Sequence, residues 1–219
     1  KTLLTHDAAA QELLIPVIRM STTDYSSDTG RHEPNPELIS KQSELVQFCL
    51  TKGAKLKDAF KNAYEIPVNF IENNLPLIIA SQYEPTEVLS HISANTYGLN
   101  NPSSLITKLI DDHKADTYKI LYISSALDSS SIEFLLNKGM KGNTLLMPAF
   151  QNNNQEKQKE LFELAFKHGA NTNFFKNLHA SVEYCNEDTL KLLMNDYKVP
   201  AQDLLSTVVR ADTSKYNPE

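Results

Sequence analysis

Residues whose types could support catalysis are few in this sequence, and they are widely spaced. His179 and Cys185 lie six residues apart, and a cysteine beside a histidine could act as a nucleophile with its base. On a helix, that spacing turns the two side chains about 120° away from each other. We therefore expect His179 to have a structural role and predict no catalytic residue here.

A second group, Asp111-Asp112-His113 followed by Asp116, has side chains of the kind that bind metal ions. No cysteine or second nearby histidine completes a ligand set, so we predict a solvated helix end. His6-Asp7 is equally incomplete, and the sequence contains neither a phosphate-binding glycine loop nor a nucleophile elbow. The prediction is a protein that is not an enzyme, with no metal site and no cofactor.

Composition limits the remaining classes of function. The chain has 219 residues, a net charge of −6 and 41% hydrophobic residues, which suits one core or one elongated array. An acidic chain without a basic stripe is a poor ligand for nucleic acid, and its apolar runs are too short to span a membrane. Cys49 and Cys185 have no nearby partner, so we expect buried free thiols and a cytoplasmic location. Because the first residue is Lys1, we expect a segment of a longer protein.

Three helical apolar runs end near a glycine, at Gly53, Gly139 and Gly169. Glycine is favoured just after a helix because the left-handed backbone there penalises other side chains. A lysine precedes each glycine by one or two residues, where a cation favours the negative end of the helix dipole. These positions predict three helix ends.

A second kind of apolar run recurs at residues 75–81, 120–128, 144–150 and 176–182. Each run is followed by a second predicted helix about 19 residues further along the chain, so each run is typical of the first helix of a pair. The two patterns together resemble the ankyrin repeat. The matching residues are Pro76-Leu77 with Ala80, Glu87-Val88, Thr144 with Leu146 and Ala149, Leu178-His179, and Gly169-Ala170-Asn171 with Asn173. The resemblance implies an all-α fold, an ankyrin-like helical-repeat solenoid, in which each helix pair is stable only against its neighbours.

The distances between successive first helices differ from the period of the ankyrin repeat. Successive first-helix leucines, Leu121, Leu146, Leu178 and Leu204, are 25, 32 and 26 residues apart, against an ankyrin period of about 33. We therefore expect short or missing finger hairpins. We predict an irregular helical N-terminal extension over residues 1–72, with a polar loop at 21–37. Repeats and a C-terminal half-repeat cap follow at 73–212, and 213–219 form a tail.

The resemblance also suggests a binding surface, because ankyrin proteins use the concave face lined by their first helices. The residues that this implies as partner-binding are Gln82, Tyr83, Gln151, Asn152, Glu183 and Tyr184, with the aromatic pair Phe174 and Phe175 as a further hot spot. The alternative for each aromatic residue is packing between repeats.

We therefore expect non-catalytic protein–protein recognition, with a partner and an oligomeric state that the sequence does not identify. The composition also resembles that of ankyrin proteins that intracellular bacteria or viruses deliver into host cells, which would place the protein in a host cytosol. Two alternatives stay open. One is a regulatory or targeting segment of a larger enzyme. The other is a hydrolase that uses His179, Cys185 or the 111–116 acidic cluster.

Overall fold

The computed structural model describes residues 7–26, 31–97, 99–177 and 187–204. Along these ranges the chain is mostly helical, which confirms the predicted helical class, and it carries one hairpin of two short strands. No helix in these ranges is long and apolar enough to cross a membrane. The chain divides into two compact units, Lys1–Ala115 and Asp116–Glu219, which we call unit 1 and unit 2 and describe separately.

Unit 1 contains six of the described α-helices and the hairpin. Its elements are α1 (Asp7–Ile18), β1 (Thr23–Ser26), β2 (Arg31–Pro34), α2 (Pro36–Thr51), α3 (Leu56–Ala59), a 3-10 helix (Ala63–Glu65), α4 (Val68–Ala80), α5 (Pro85–Ala94) and α6 (Pro102–Asp111). Helix α4 is kinked at Asn74, whose backbone is not helical (φ −132°, ψ 29°). The kink lies two residues before Pro76, which cannot donate a helical hydrogen bond.

Unit 2 alternates short 3-10 helices with longer α-helices. Its elements are a 3-10 helix (Thr117–Lys119), α7 (Ser129–Asn137), a 3-10 helix (Gly142–Leu145), α8 (Leu146–Phe150), α9 (Gln155–Lys167), a 3-10 helix (Thr172–Asn177) and α10 (Glu187–Asn195). Residues 201–204 are also helical. The largest fully buried side chains of this unit are Phe150, Phe162 and Phe175.

The three predicted glycine helix ends are confirmed. Gly53, Gly139 and Gly169 have φ values of 91°, 106° and 78°, which lie in the left-handed region. After each glycine the next amide closes the turn by donating to a carbonyl five residues back, as Ala54 N does to Cys49 O at 3.1 Å. This is the Schellman arrangement, which satisfies carbonyls that the helix leaves without partners.

A left-handed lysine, rather than glycine, follows two further helices. Lys114 after α6 and Lys198 after α10 have φ values of 59° and 57°. The ammonium of Lys114 donates to the carbonyl of Asp111, and that of Lys198 donates to Asn195 O at 2.5 Å. Each lysine therefore caps the negative end of its own helix while occupying a backbone conformation that usually selects glycine.

The predicted polar loop at 21–37 is corrected, because it contains the hairpin of β1 and β2. The strands are antiparallel, with Thr23 opposite Pro34. The amide of Asn35 donates to Thr22 O at 2.8 Å, and the side chain of Asn35 caps α2 by accepting from Glu37 N and Leu38 N. Threonine and tyrosine in this segment favour strands, and a reading based on polarity alone misses that preference.

The predicted first helix over residues 120–128 does not form. Apart from the turn near its end, this segment is irregular, and Ile120 has extended backbone angles (φ −67°, ψ 120°). Thr117, Ile120 and Ile123 are buried, at 3%, 0% and 0% exposure, so burial recurs every third residue. Thr117 begins a 3-10 helix and Ile120 follows its end, and the backbone beyond Ile120 is irregular, so this burial does not follow an α-helix of 3.6 residues per turn.

Side-chain hydrogen bonds join the first turns of α7, α9 and α10 in unit 2. Lys157 of α9 donates to Ser129 Oγ of α7 at 2.7 Å, across 28 residues of sequence. Thr189 of α10 donates to Gln158 Oε1 of α9 at 2.6 Å, across 31 residues, and this bond is buried. The starts of α7, α9 and α10 therefore lie side by side in chain order.

The segments that precede these helices are joined in the same order. Thr144 Oγ1 donates to Ile120 O at 3.1 Å, across 24 residues, and Asn171 N donates to Asn143 Oδ1 at 2.7 Å, across 28 residues. Unit 1 has comparable links, since Ala63 N donates to Glu87 Oε1 at 2.6 Å across 24 residues. These hydrogen bonds thus join segments that lie 24 to 31 residues apart in sequence.

Candidate functional site

The two residues that the sequence places on a concave face in unit 1 have different surroundings. Gln82 is exposed, in the turn between α4 and α5, with a left-handed backbone (φ 63°). Tyr83 is 2% exposed, which corrects the expectation of an exposed ring. Its hydroxyl donates to Phe60 O at 2.7 Å, and burial, with nearby carboxylates such as Glu87, raises its pKa to about 12. Tyr83 therefore ties the α4–α5 turn to the end of α3.

In unit 2, Gln151 and Asn152 are half-buried in the turn between α8 and α9. Asn152 Oδ1 accepts from Asn154 N at 2.9 Å, and Asn152 O accepts from Gln158 Nε2 at 3.3 Å. Asn152 is therefore engaged in shaping this turn. These two hydrogen bonds involve Asn152 and not Gln151.

The predicted aromatic hot spot is also corrected. Phe175 is 0% exposed and Phe174 is half-buried. The two rings meet edge to face, with centroids 5.9 Å apart and planes at 88°, which is a favourable packing geometry. Phe175 thus belongs to the core of unit 2. Glu183 and Tyr184 lie outside the described residues.

The candidates for catalysis and metal binding are not brought together. His179 and Cys185 lie outside the described residues. Within the ranges that the structure describes, no three histidine, cysteine, aspartate or glutamate side chains are grouped to hold a metal ion. Asp111 and Asp112 are exposed at the end of α6. Cys49 is a free, buried thiol, and burial raises its pKa, which disfavours the reactive thiolate.

A shallow groove of about 390 Å³ lies in unit 1, where α2 and α4 end. Leu50, Ala54, Leu56 and Ala80 form its apolar part, and Lys55, Lys57, Ser81 and Gln82 its polar part. Lys57 is already engaged, since its ammonium donates to Gln82 O at 2.7 Å and lies 5.3 Å from the Tyr83 ring centre. The groove is therefore held together by the bonds that build the α4–α5 turn.

An exposed apolar segment in unit 2 is the stronger candidate for a functional surface. Tyr118, Leu121 and Tyr122 are 60%, 84% and 44% exposed. They lie between the buried residues Thr117, Ile120 and Ile123. Because the buried residues anchor the backbone at every third position, the intervening side chains are directed outward. We call residues 118–122 the exposed segment.

Two hydrogen bonds hold the exposed segment in place. At its start, Thr117 Oγ1 donates to Lys138 O at 2.6 Å, at the end of α7. In its middle, Ile120 O accepts from Thr144 Oγ1 at 3.1 Å, and that bond is buried. The segment is therefore attached at both points to residues that follow it by more than twenty positions, and its exposed side chains project from a fixed backbone.

Sequence reasoning missed this segment because it assigned the same residues to a helix. In a helix, Leu121 would pack against the next repeat. The available signal was the pair of isoleucines, Ile120 and Ile123, since β-branched residues favour extended backbone. A spacing of three also occurs in helices, so this signal does not distinguish the two structures by itself.

Comparisons with known proteins add no relative. No protein-family model matches the chain, and neither the curated proteins nor the solved structures contain a match. We therefore infer function from the geometry of the described residues.

Proposed function

We propose that this protein is a non-catalytic protein-recognition module built from ankyrin-like stacked helix pairs. The observation that carries the proposal is the exposed segment, in which Leu121 keeps 84% of its surface accessible between two fully buried isoleucines. An apolar side chain held in this way gains free energy when a partner covers it, at about 25 cal/mol per Å². Groups of exposed apolar side chains commonly mark interaction sites.

The proposed stacking is supported by the hydrogen bonds between successive segments. Bonds such as Lys157–Ser129 and Thr189–Gln158 join residues 28 and 31 positions apart. In a repeat array each unit contacts its neighbours, so contacts about one repeat apart in sequence are expected. The glycine ends after α7 and α9 fit the same scheme.

The side chains of the exposed segment suit recognition of another protein. Tyrosine is enriched at interaction hot spots, because its ring buries a large area while its hydroxyl remains hydrogen-bonded to water or to the partner. Tyr118 and Tyr122 flank Leu121, so an apolar centre would lie beside polar hydroxyl groups. Gln82 and Gln151 remain proposed as additional polar contacts, each within its own unit.

The test is affinity capture from a eukaryotic lysate, with bound proteins identified by mass spectrometry. The wild-type protein is compared with Leu121→Ser/Tyr122→Ser and with the control Tyr97→Ser, which alters a tyrosine of unit 1 that is 97% exposed. All three proteins should have the same melting temperature, because the altered side chains are largely or partly exposed. We expect a partner that the wild type and the control retain and the double variant loses. Equal retention by all three would refute the exposed segment as the binding surface.

A further inference from the structure

We propose that the exposed segment and the lysines beside it bind a peptide segment with a large apolar anchor flanked by acidic residues. This inference rests on the proposed recognition function and adds the chemistry of the partner. The surface consists of Tyr118, Lys119, Leu121, Tyr122 and Lys141, and we call it the apolar–basic patch.

The structure places the lysines next to the apolar side chains. The ammonium of Lys141 lies 4.0 Å from the centre of the Tyr118 ring, a cation–π contact. Lys119 is within the segment, and its side chain is 70% exposed. Two cationic side chains, those of Lys119 and Lys141, therefore border the apolar centre.

The charge of the patch differs in sign from that of the whole protein. The chain carries a net charge of −6, whereas the patch contains two lysines. Asp116 Oδ2 contacts Lys119 Nζ at 3.9 Å, a long and exposed pair of little strength. Lys141 and Lys119 can therefore exchange these contacts for a carboxylate of a partner.

Apolar and charged groups would have different functions in such an interface. A buried apolar centre supplies most of the affinity, whereas charges at the rim speed association and exclude partners of the wrong sign. Leu121 and Tyr122 provide the centre, and the lysines provide the rim. A basic or neutral flank on the partner would leave the ammonium groups facing like charge or no charge. Acidic flanks are therefore the complementary chemistry.

The experiment uses the full chain as bait for a display library of random twelve-residue peptides. Enriched peptides are synthesised with a fluorescent label, and their affinities are measured by anisotropy at low and at moderate salt concentration. We expect an apolar residue with aspartate or glutamate on both sides, weaker binding at higher salt, and loss of binding by Leu121→Ser. The control Tyr97→Ser should bind like the wild type.

A charge reversal tests the rim separately. Lys119→Glu/Lys141→Glu should weaken binding of an enriched acidic peptide at least about tenfold, because two attractive rim contacts become repulsive. The matched control is Lys159→Glu/Lys191→Glu, which changes the net charge equally on the exposed faces of α9 and α10. The control should bind the same peptide within about twofold, since distant exposed charges are screened.

The outcomes separate this inference from the proposed function. Enriched peptides that need Leu121 but have neutral or basic flanks would overturn the inference and leave the recognition function standing. The absence of any Leu121-dependent peptide would refute the exposed segment as a binding surface. Two other results would also overturn the inference. One is a dimer of the protein that Leu121→Ser dissociates, and the other is Leu121-dependent binding to vesicles of phosphatidylcholine and phosphatidylserine.

Discussion

The side chain of Gln42, on α2, stabilises the junction between α1 and the residues that follow it. The side chain is 1% exposed. Its Nε2 lies 3.0 Å from Val17 O, 2.9 Å from Ile18 O and 3.3 Å from Met20 O. These carbonyls are at and just beyond the end of α1, where a helix leaves its last acceptors without intrahelical partners. One amide on α2 therefore provides donors for the end of α1.

The cost of removing that amide can be estimated from its two N–H donors. Each hydrogen bond contributes about 1 kcal/mol net, and a buried carbonyl left without a partner costs about 1–3 kcal/mol. We expect Gln42→Met, which nearly conserves volume, to lower the free energy of unfolding by about 2–4 kcal/mol. Gln42→Glu keeps the shape but buries an unpaired charge, so we expect a loss of about 3–5 kcal/mol near neutral pH.

We also expect the stability of the Gln42→Glu variant to depend on pH. Burial beside carbonyl oxygens raises the pKa of the introduced carboxyl above its ordinary value of about 4.3. The folded state then binds more protons than the unfolded state, so stability increases as the pH falls. The loss of stability caused by the buried charge is complete when the pH is above the pKa of the carboxyl in the folded state. It disappears when the pH is below the pKa of about 4.3 in the unfolded state, where the protonated carboxyl can donate one hydrogen bond.

Urea unfolding followed by far-UV circular dichroism measures these changes at several pH values. Gln47 is exposed on the same helix, so Gln47→Met and Gln47→Glu are matched controls. We expect the controls to stay within about 0.5 kcal/mol of the wild type. If Gln42→Met is equally close to the wild type, or if the loss in Gln42→Glu does not depend on pH, the assignment of Gln42 as the donor for these carbonyls is refuted.

Three other predictions concern unit 1. Burial lowers the pKa of His91 from its ordinary value of 6.5. The contribution of His91 to the free energy of unfolding should therefore be complete above pH 6.5 and decrease as the pH falls. This decrease should be absent in His91→Gln. Ser93 Oγ is buried without a hydrogen-bond partner among the described residues, so Ser93→Ala should raise the free energy of unfolding by about 1 kcal/mol, and a loss of stability would contradict this. Gln82 has a φ of 63°, so Gln82→Gly should raise the melting temperature and Gln82→Val should lower it, with the reverse order refuting backbone strain there.

Helix ends were predictable from the sequence only where glycine marks them. Gly139 and Gly169 indicate a left-handed residue because glycine alone adopts it without penalty. Lys114 and Lys198 occupy the same conformation, but nothing in the local sequence distinguishes them from other helix-terminal lysines. Each of these lysines donates to a carbonyl of its own helix end, and the residue type alone does not indicate that bond.

The burial of Tyr83 was unpredictable for a similar reason. A tyrosine after a short turn is usually part exposed, and the sequence offered no reason to place it inside. Its hydroxyl is satisfied by Phe60 O, a carbonyl 23 residues earlier in the chain. Only the packing of α3 against the α4–α5 turn brings that acceptor into range. Local polarity predicts exposure, whereas a distant acceptor decides burial.

The exposed segment arises where a predicted helix does not form. Had residues 120–128 formed a helix, Leu121 would have been expected to pack against a neighbouring segment. The irregular backbone instead buries Ile120 and Ile123 and leaves Leu121 84% exposed. The segment still keeps a bond between neighbouring segments, because Ile120 O accepts from Thr144 Oγ1. The position retains one contact to the next segment while its apolar side chains face outward, so the proposed recognition of a partner depends on a segment that does not adopt the predicted helix.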